Sequence, residues 1–260
     1  MTEPAVIFKA GAPVGEIILN RPRVLNAMNM AWVEDFARAA TEAAASKDAD
    51  VIVVRGAGRA FCAGLDLKMT RGGGMPGDFY PTQEAGFTAL EAMDKLVIAQ
   101  IHGHCVGGGV QLAIACDIRI AREDATFGIP APTEGLFPGM AVWRLPRFIG
   151  LGRALHFAIS GDRIDAIEAQ RIGLVDYVCP VEGFEEAASE VVSRYTKISH
   201  AATRATKRLM RRSFERDFDA VFAESLPLLE ASRSSTEVIG AAEAFQQRLA
   251  QKKGDKESAD

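Results

Sequence analysis

Absences narrow the possibilities before any motif is read. No stretch approaches the roughly 18 uncharged apolar residues of a membrane span, and residues 1–10, MTEPAVIFKA, lack the cationic start and apolar run of a secretory leader. Cysteine is scarce: Cys62, Cys105, Cys116 and Cys179 lie far apart, mostly in apolar surroundings. Small buried thiols in a cytoplasmic protein are therefore expected rather than a disulfide framework. With four histidines in 260 residues there is little for a metal centre; His102 and His104 would share a face of a strand but have no evident third ligand, and His156 and His200 stand alone. The patterns G-x-x-x-x-G-K-[ST], G-x-S-x-G and C-x-x-C are all missing. Neither is there a cationic excess: a net charge of −4 and a pI near 5.7 argue against a nucleic-acid surface.

What is present is apolar and glycine-punctuated. At 48% hydrophobic and 25% charged, 260 residues can bury a large core. AVIFKA and VGEIILN, joined around Gly11–Pro13, predict a hairpin, and Trp32, Phe36, Ala39, Ala40 and Ala43 recur at helical spacing up to Asp48. VIVVRG (51–56), VIAQIHG (97–103) and DIRIA (117–121) read as strands. Helices are expected over 84–95, 151–159 and 165–172, with a strand near 174–178, and RGGGMPGDFYP (71–81) reads as an irregular loop. Beyond Pro180 strand signals vanish and helices are expected near 181–196, 199–212, 214–229 and 234–251, ending in a frayed tail. The fold class is thus α/β with a helical C-terminal region, divided as 1–195 and 196–260.

Two glycine turns follow strands. In HGHCVGGGVQLA, residues 102–113, three glycines precede a helix, whose first N–H groups and dipole could hold an anion or an oxygen that becomes negative; close packing alone is the other reading. FCAGLD (61–66) is a second such turn, and two together could offer two N–H donors to one oxygen. GGGMPG (72–77) matches G-x-G-x-x-G formally but follows no strand and carries a proline where the helix should begin. Lys207, Arg208, Arg211 and Arg212 form a basic cluster that either meets a phosphate or is a solvated face.

LNAMN (25–29), RAFCAGLDL (59–67), IHGHCVGGGVQLAIACDIRIA (101–121) and GDRIDAIEAQRIGLVDYV (161–178), in that order, resemble the enoyl-CoA hydratase/isomerase, or crotonase, family over nearly the whole chain. The resemblance implies a spiral of ββα units with a C-terminal α-helical trimerisation region, and a homotrimer or hexamer. It implies an acyl-CoA thioester substrate, with coenzyme A entering as part of that substrate and no cofactor permanently bound. The N–H groups of Ala63 and Gly108 would hold the thioester oxygen, and Leu25, Asn26 and Ala27 with Ala63, Gly64, Leu65, Asp66 and Leu67 would line the coenzyme A groove.

Against the family pattern, Gln111 and Ala131 stand where a typical hydratase has its two glutamates, and Gly139 stands where isomerases often place an acid. Glutamine can orient water but cannot act as a carboxylate base, and alanine can do neither. Glu134 is the nearest carboxylate in sequence: if TEG begins a helical turn, residues 131 and 134 share a side, with Thr133 as cap or orienting group. Glu134 is therefore the expected acid/base and Gln111 the group that places water or substrate. Asp78, Glu84, Glu91, Tyr80 and His104 are further polar candidates. The expected function is enoyl-CoA hydratase/isomerase-like chemistry through a thioester enolate. Thioester hydrolysis and acyl-CoA binding without turnover are the alternatives.

Overall fold

The computed structural model describes residues 3–70, 75–198, 200–233 and 240. The chain divides into two compact units, Met1–Ile198 and Ser199–Asp260.

In the first unit, β1 (Val6–Lys9) and β2 (Val14–Leu19) pair as the expected antiparallel hairpin. Parallel strands β3 (Val51–Gly56), β4 (Leu96–Ile101), β6 (Ile118–Arg122) and β9 (Tyr177–Cys179) extend it into one six-stranded sheet, ordered β1-β2-β3-β4-β6-β9. A second sheet joins β5 (His104–Val106), β7 (Thr126–Gly128) and β8 (Arg163–Asp165) in the order β5-β7-β8. Each repeat places a strand in the first sheet, a short extended segment beside it, and then a helix: α1 (Met30–Ala45), α2 (Phe79–Ala92), α3 (Gly108–Ala115) and α4 (Ala141–Ile149). This is the ββα spiral expected of the resemblance.

VIVV reads as an unbroken apolar run because both faces of its strand are covered. Ile52 and Val54 enter the main core with α1 and α2. Val51 and Val53 pack beneath α7 (Phe184–Tyr195) with Phe184, Ala188 and Val191. α1 starts where the Asn29 side chain accepts the Trp32 N–H at 3.0 Å, and buries Trp32, Val33, Phe36, Ala39, Ala40 and Ala43. Trp32 stacks on Phe36, and Phe87 of α2 meets Phe36 edge-on with centroids 5.6 Å apart.

Three expectations need correction. α2 begins at Phe79, not 84, because Pro81 sits in its first turn, where no N–H partner is required. β8 was not expected, and the strand placed near 174–178 is Tyr177–Cys179. Glu84 and Glu91, candidates for polar chemistry, are instead tied to Arg144 of α4, which is 4% exposed in its side chain and donates to them at 2.8 Å each. A buried guanidinium held by two carboxylates thus fastens α2 to α4.

In the second unit α8 (His200–Arg212) is followed by α9 (Phe218–Arg233). Of the basic cluster, Arg208 and Arg212 reach Glu224 of α9, as does Arg216. Apart from Gly240, the expected 234–251 helix and the tail lie outside the described residues.

Two substitutions test the supports of this frame. Arg144→Ala leaves two carboxylates facing a void and lowers unfolding stability by about 3 kcal/mol in urea titration, whereas adding Glu84→Gln and Glu91→Gln recovers part of the loss. Asn26→Ala, which removes the bonds described below, costs at least about 2 kcal/mol. A change under 0.5 kcal/mol in either case means that the contact supports nothing.

Candidate active site

One cavity of about 260 Å³ collects both glycine turns and the proline-rich loop. Its wall includes Ala63, Gly64, Leu65 and Leu67 from the first turn, Gly107 and Gly108 from the second, and Ala131, Glu134 and Phe137 from the loop.

The backbone from Phe61 to Asp66 runs between two neighbours. On one side the Cys62 N–H donates to the His104 carbonyl at 2.9 Å and the Cys62 carbonyl accepts the Val106 N–H at 2.9 Å; on the other, the Ala63 N–H donates to the Leu25 carbonyl at 3.0 Å. Successive N–H groups of an extended chain point to alternate sides, so Asp66 should face β5. It does not: its N–H donates to the Met28 carbonyl at 2.9 Å, on the Leu25 side. The reversal falls at Gly64, whose φ is +87°. Leu65, bracketed in a parallel bridge to Met28, therefore turns its own N–H away from Met28 and toward the β5–α3 side. A Cβ on Gly64 would stand 2.7 Å from the Val106 carbonyl and 3.3 Å from the Gly108 nitrogen. Only glycine permits both the φ and the approach.

The expectation for Ala63 is thus corrected: its amide is spent on Leu25. The N–H groups of Gly64, Leu65 and Gly108 have no backbone acceptor among the described residues and all three residues line the cavity; of the first turn's two, the Leu65 N–H is the one turned from Met28 toward the start of α3. Gly108 opens α3, so the helix dipole adds to its N–H. The packing reading of the triple glycine holds one residue later, where a Cβ on Gly109 would meet the Cys62 carbonyl at 2.3 Å.

The coenzyme A set divides. Ala63, Gly64, Leu65 and Leu67 line the cavity; Leu25, Asn26, Ala27 and Asp66 are not in its wall. Asn26 is fully buried with φ +57°, its amide donating to the Ala57, Ala60 and Phe61 carbonyls at 2.8–3.1 Å and its oxygen accepting the Arg21 N–H at 2.8 Å. That network holds two consecutive left-handed residues, Leu25 and Asn26, in place. Asp66 pairs with Arg21 at 3.1 Å, and Arg21 also donates to the Ala27 carbonyl. These residues brace the turn.

Gln111, on α3, is 7% exposed, and its Oε1 is buried without a hydrogen-bond partner. It faces Gly139, where a Cβ would stand 3.0 Å from that oxygen. The 3-10 turn Ala131–Glu134 ends, rather than begins, at Glu134, and in such a turn residues three apart eclipse. Ala131 and Glu134 accordingly share the cavity side. Thr133 neither caps nor orients Glu134: its hydroxyl donates to the Pro130 carbonyl at 2.8 Å. Glu134 is exposed, with no ion-pair partner among the described residues, and is the sole carboxylate in the wall.

Of the other candidates, Tyr80 lines the cavity and Asp78, Glu84, Glu91 and His104 do not. The two histidines separate at Gly103, φ +58°: His102 bonds the Gly58 carbonyl and His104 the Thr126 hydroxyl. Burial pushes the Cys62 thiol up to about 12, so it stays protonated despite lying beside Ala63. All four cysteines are buried, and no disulfide joins them. Among the described residues no group of three or more His, Cys, Asp or Glu could hold a metal ion, and no helix is long and apolar enough to cross a membrane. Sequence reasoning missed Gln83, buried on α2 and bonded to the Met28 sulfur at 3.2 Å, and Arg163 at the rim. The unforeseen early start of α2 hid the first, and the unforeseen β8 hid the second.

Comparison with known proteins agrees with this frame. Residues 9–254 match the family model described as enoyl-CoA hydratase/isomerase. A probable enoyl-CoA hydratase of Mycobacterium bovis is 35% identical over 220 residues, 83% of this chain and 84% of that protein. The 2,3-dehydroadipyl-CoA hydratase of Escherichia coli is 33% identical over 229 residues, covering 86% and 90%. The crystal structure of an enoyl-CoA hydratase from Bacillus anthracis superposes with a TM-score of 0.85 at 31% identity, covering 94% of this chain and 96% of that one. With two glycine turns meeting at one cavity and a match across most of its length, the chain belongs to the enoyl-CoA hydratase/isomerase family.

Proposed function

We propose that this protein acts on an acyl-CoA thioester by stabilising an enolate-like thioester oxygen between the amides of Leu65 and Gly108, with Glu134 as acid/base and Gln111 placing water or substrate. The observation that carries the reading is that the Leu65 and Gly108 N–H groups on one cavity wall lack acceptors among the described residues, whereas the amides of Ala63, Asp66 and Gly107 are paired within the protein. Fixed donors of this kind stabilise charge as it develops and need no reorganisation during the reaction. Gln111 supports it further, since a buried carbonyl oxygen without a donor costs about 1–3 kcal/mol unless a ligand or water supplies one. Relatives named as hydratases, and the match to the hydratase/isomerase family model, support hydration or double-bond migration as the chemistry.

The carboxylate inventory sets the mechanism. Hydration adds hydroxyl at Cβ and a proton at Cα; migration removes a proton at one carbon and returns it at another. Either way one carboxylate of the cavity wall serves both transfers, with water held at Gln111. A second reading, binding without turnover, draws on the exposure of Glu134, which has no ion-pair partner among the described residues to orient it. Thioester hydrolysis uses the same two amides and would release free thiol.

The reading extends to assembly as a homotrimer or hexamer. It is supported by Leu151, Leu155 and Ile159, which form an exposed apolar stripe along α5 (Leu151–Ser160). The four buried thiols, joined by no disulfide, favour a cytoplasmic setting.

Steady-state assay of Glu134→Gln and Glu134→Ala against 2-enoyl- and 3-enoyl-CoA esters, with free thiol followed in parallel, tests the proposal. The expected loss in kcat is about 10²–10⁴ with KM little changed. Unchanged turnover on the best substrate removes Glu134 from the reaction; no turnover of any ester by the parent protein, with binding intact, selects the second reading. An infrared difference spectrum of a bound ¹³C-labelled thioester should show its carbonyl stretch at lower frequency than in water, and an unshifted band rules out the amide pair.

A further inference from the structure

We infer that the acyl group taken by this cavity has an apolar body reaching well beyond a four-carbon enoyl unit, with Leu67, Tyr80 and Phe137 as the residues that select it. This rests on the acyl-CoA reading above and goes further, to the substrate class.

Three large apolar side chains are conspicuously open: Leu67 is 49% exposed, Tyr80 42% and Phe137 68%. Scattered singly, such residues need no explanation. These three come from separate segments, the 3-10 turn Leu67–Thr70, the first turn of α2 and the loop before α4, yet line one cavity. Inward of them the wall continues apolar through Met28, Phe79, Ile129 and Leu136, all in the same cavity as the amides of Leu65 and Gly108. Tyr80 is braced by Phe79, whose ring meets it edge-on with centroids 5.4 Å apart. Phe137 precedes Pro138, which restricts the backbone at that point.

Position along the wall separates a short acyl group from a longer one: the amides of Leu65 and Gly108 and the outer apolar side chains line the same cavity of about 260 Å³. A short chain held at Leu65 and Gly108 would leave the outer apolar surface wet. Charge does not reverse the choice. Glu134 and Arg163 line the same cavity with opposite signs, so the pair carries no net charge that would select an ionised acyl terminus. Gln83, the other buried polar side chain of the wall besides Gln111, has its amide nitrogen turned onto the Met28 sulfur.

Each methylene moved from water into this surface is expected to tighten binding about fourfold. Calorimetric titration of the intact protein with saturated butanoyl-, hexanoyl-, octanoyl- and decanoyl-CoA reads this without any chemical step. The expected result is on the order of a 100-fold fall in Kd from butanoyl to octanoyl. Phe137→Ser and Tyr80→Ser, both at exposed positions, should each cut that ratio by about tenfold. Butanoyl-CoA binding as tightly as octanoyl-CoA overturns the inference while leaving the acyl-CoA reading intact. So does tighter binding of octanoyl-CoA bearing a terminal carboxylate, lost in Arg163→Gln, since the cavity would then select charge. Failure of every CoA ester to bind removes the underlying reading and the inference together.

Discussion

The site depends on one reversal of the backbone, at Gly64. Extended chain gives its donors alternately to the two sides, and from Cys62 to Ala63 this segment follows the rule, tying itself to β5 on one side and to Leu25 on the other. Had alternation continued, Leu65 would have turned its N–H to the Met28 side and found a carbonyl there, leaving nothing for a ligand. The positive φ at Gly64 exchanges the sides once. Asp66 then bonds Met28 and Leu65 is left facing the start of α3. The two neighbours hold this fixed: β5 by its pairing with Cys62, and the 25–28 segment by the bonds that the Asn26 amide makes to three carbonyls. Backbone donors held from both sides are fixed in place, and in the proposed reading such preorganisation is what suits them to a developing charge.

Much of the frame was legible in the sequence because burial is written in periodicity. The unbroken VIVV run announced a strand covered on both faces, and the spacing from Trp32 to Ala43 announced the stripe of α1. What stayed hidden was decided elsewhere. Pro81 looked like part of a loop, and only its place in a first turn, where its missing N–H is harmless, lets α2 begin at Phe79. β8 is three residues long and alternates Arg, Ile, Asp; its pairing comes from β7 rather than from any strand preference of its own.

The site was legible to the level of the motif and no finer. Glycine at 64 and at 107–109 signals turns that can bare amides, and both turns do reach the cavity. Which amide is bared follows from φ, and residue identity does not encode φ at a glycine. Ala63 was the wrong neighbour for that reason. Asn26, by contrast, was expected in the groove from the family resemblance of its motif. Its full burial and four bonds show a polar side chain serving the backbone. The candidates Glu84 and Glu91 erred in the same direction, since acidic residues near an irregular loop suggest chemistry until a buried Arg144 claims them.

In the proposed reading, oxygen binding and proton transfer are built from different parts of the chain, and this separation bears on how the family scaffold tolerates Gln111 and Ala131. Peptide N–H groups hold the oxygen in the proposed reading, so no side-chain exchange at positions 111 or 131 disturbs them, provided the glycines remain. Proton transfer belongs to side chains, which can move along the wall. A 3-10 turn eclipses residues 131 and 134, so an acid displaced by three positions still faces the same cavity. The displacement carries a geometric consequence: Glu134 stands further along the chain toward Leu136 and Phe137, the apolar part of the wall, than Ala131 does. In the proposed reading, an acyl chain long enough to pack against Phe137 would run beside that carboxylate. Reach of the chain and position of the acid would thus be two results of the same loop, FGIPAPTEGLFPG, whose prolines and glycines fix both.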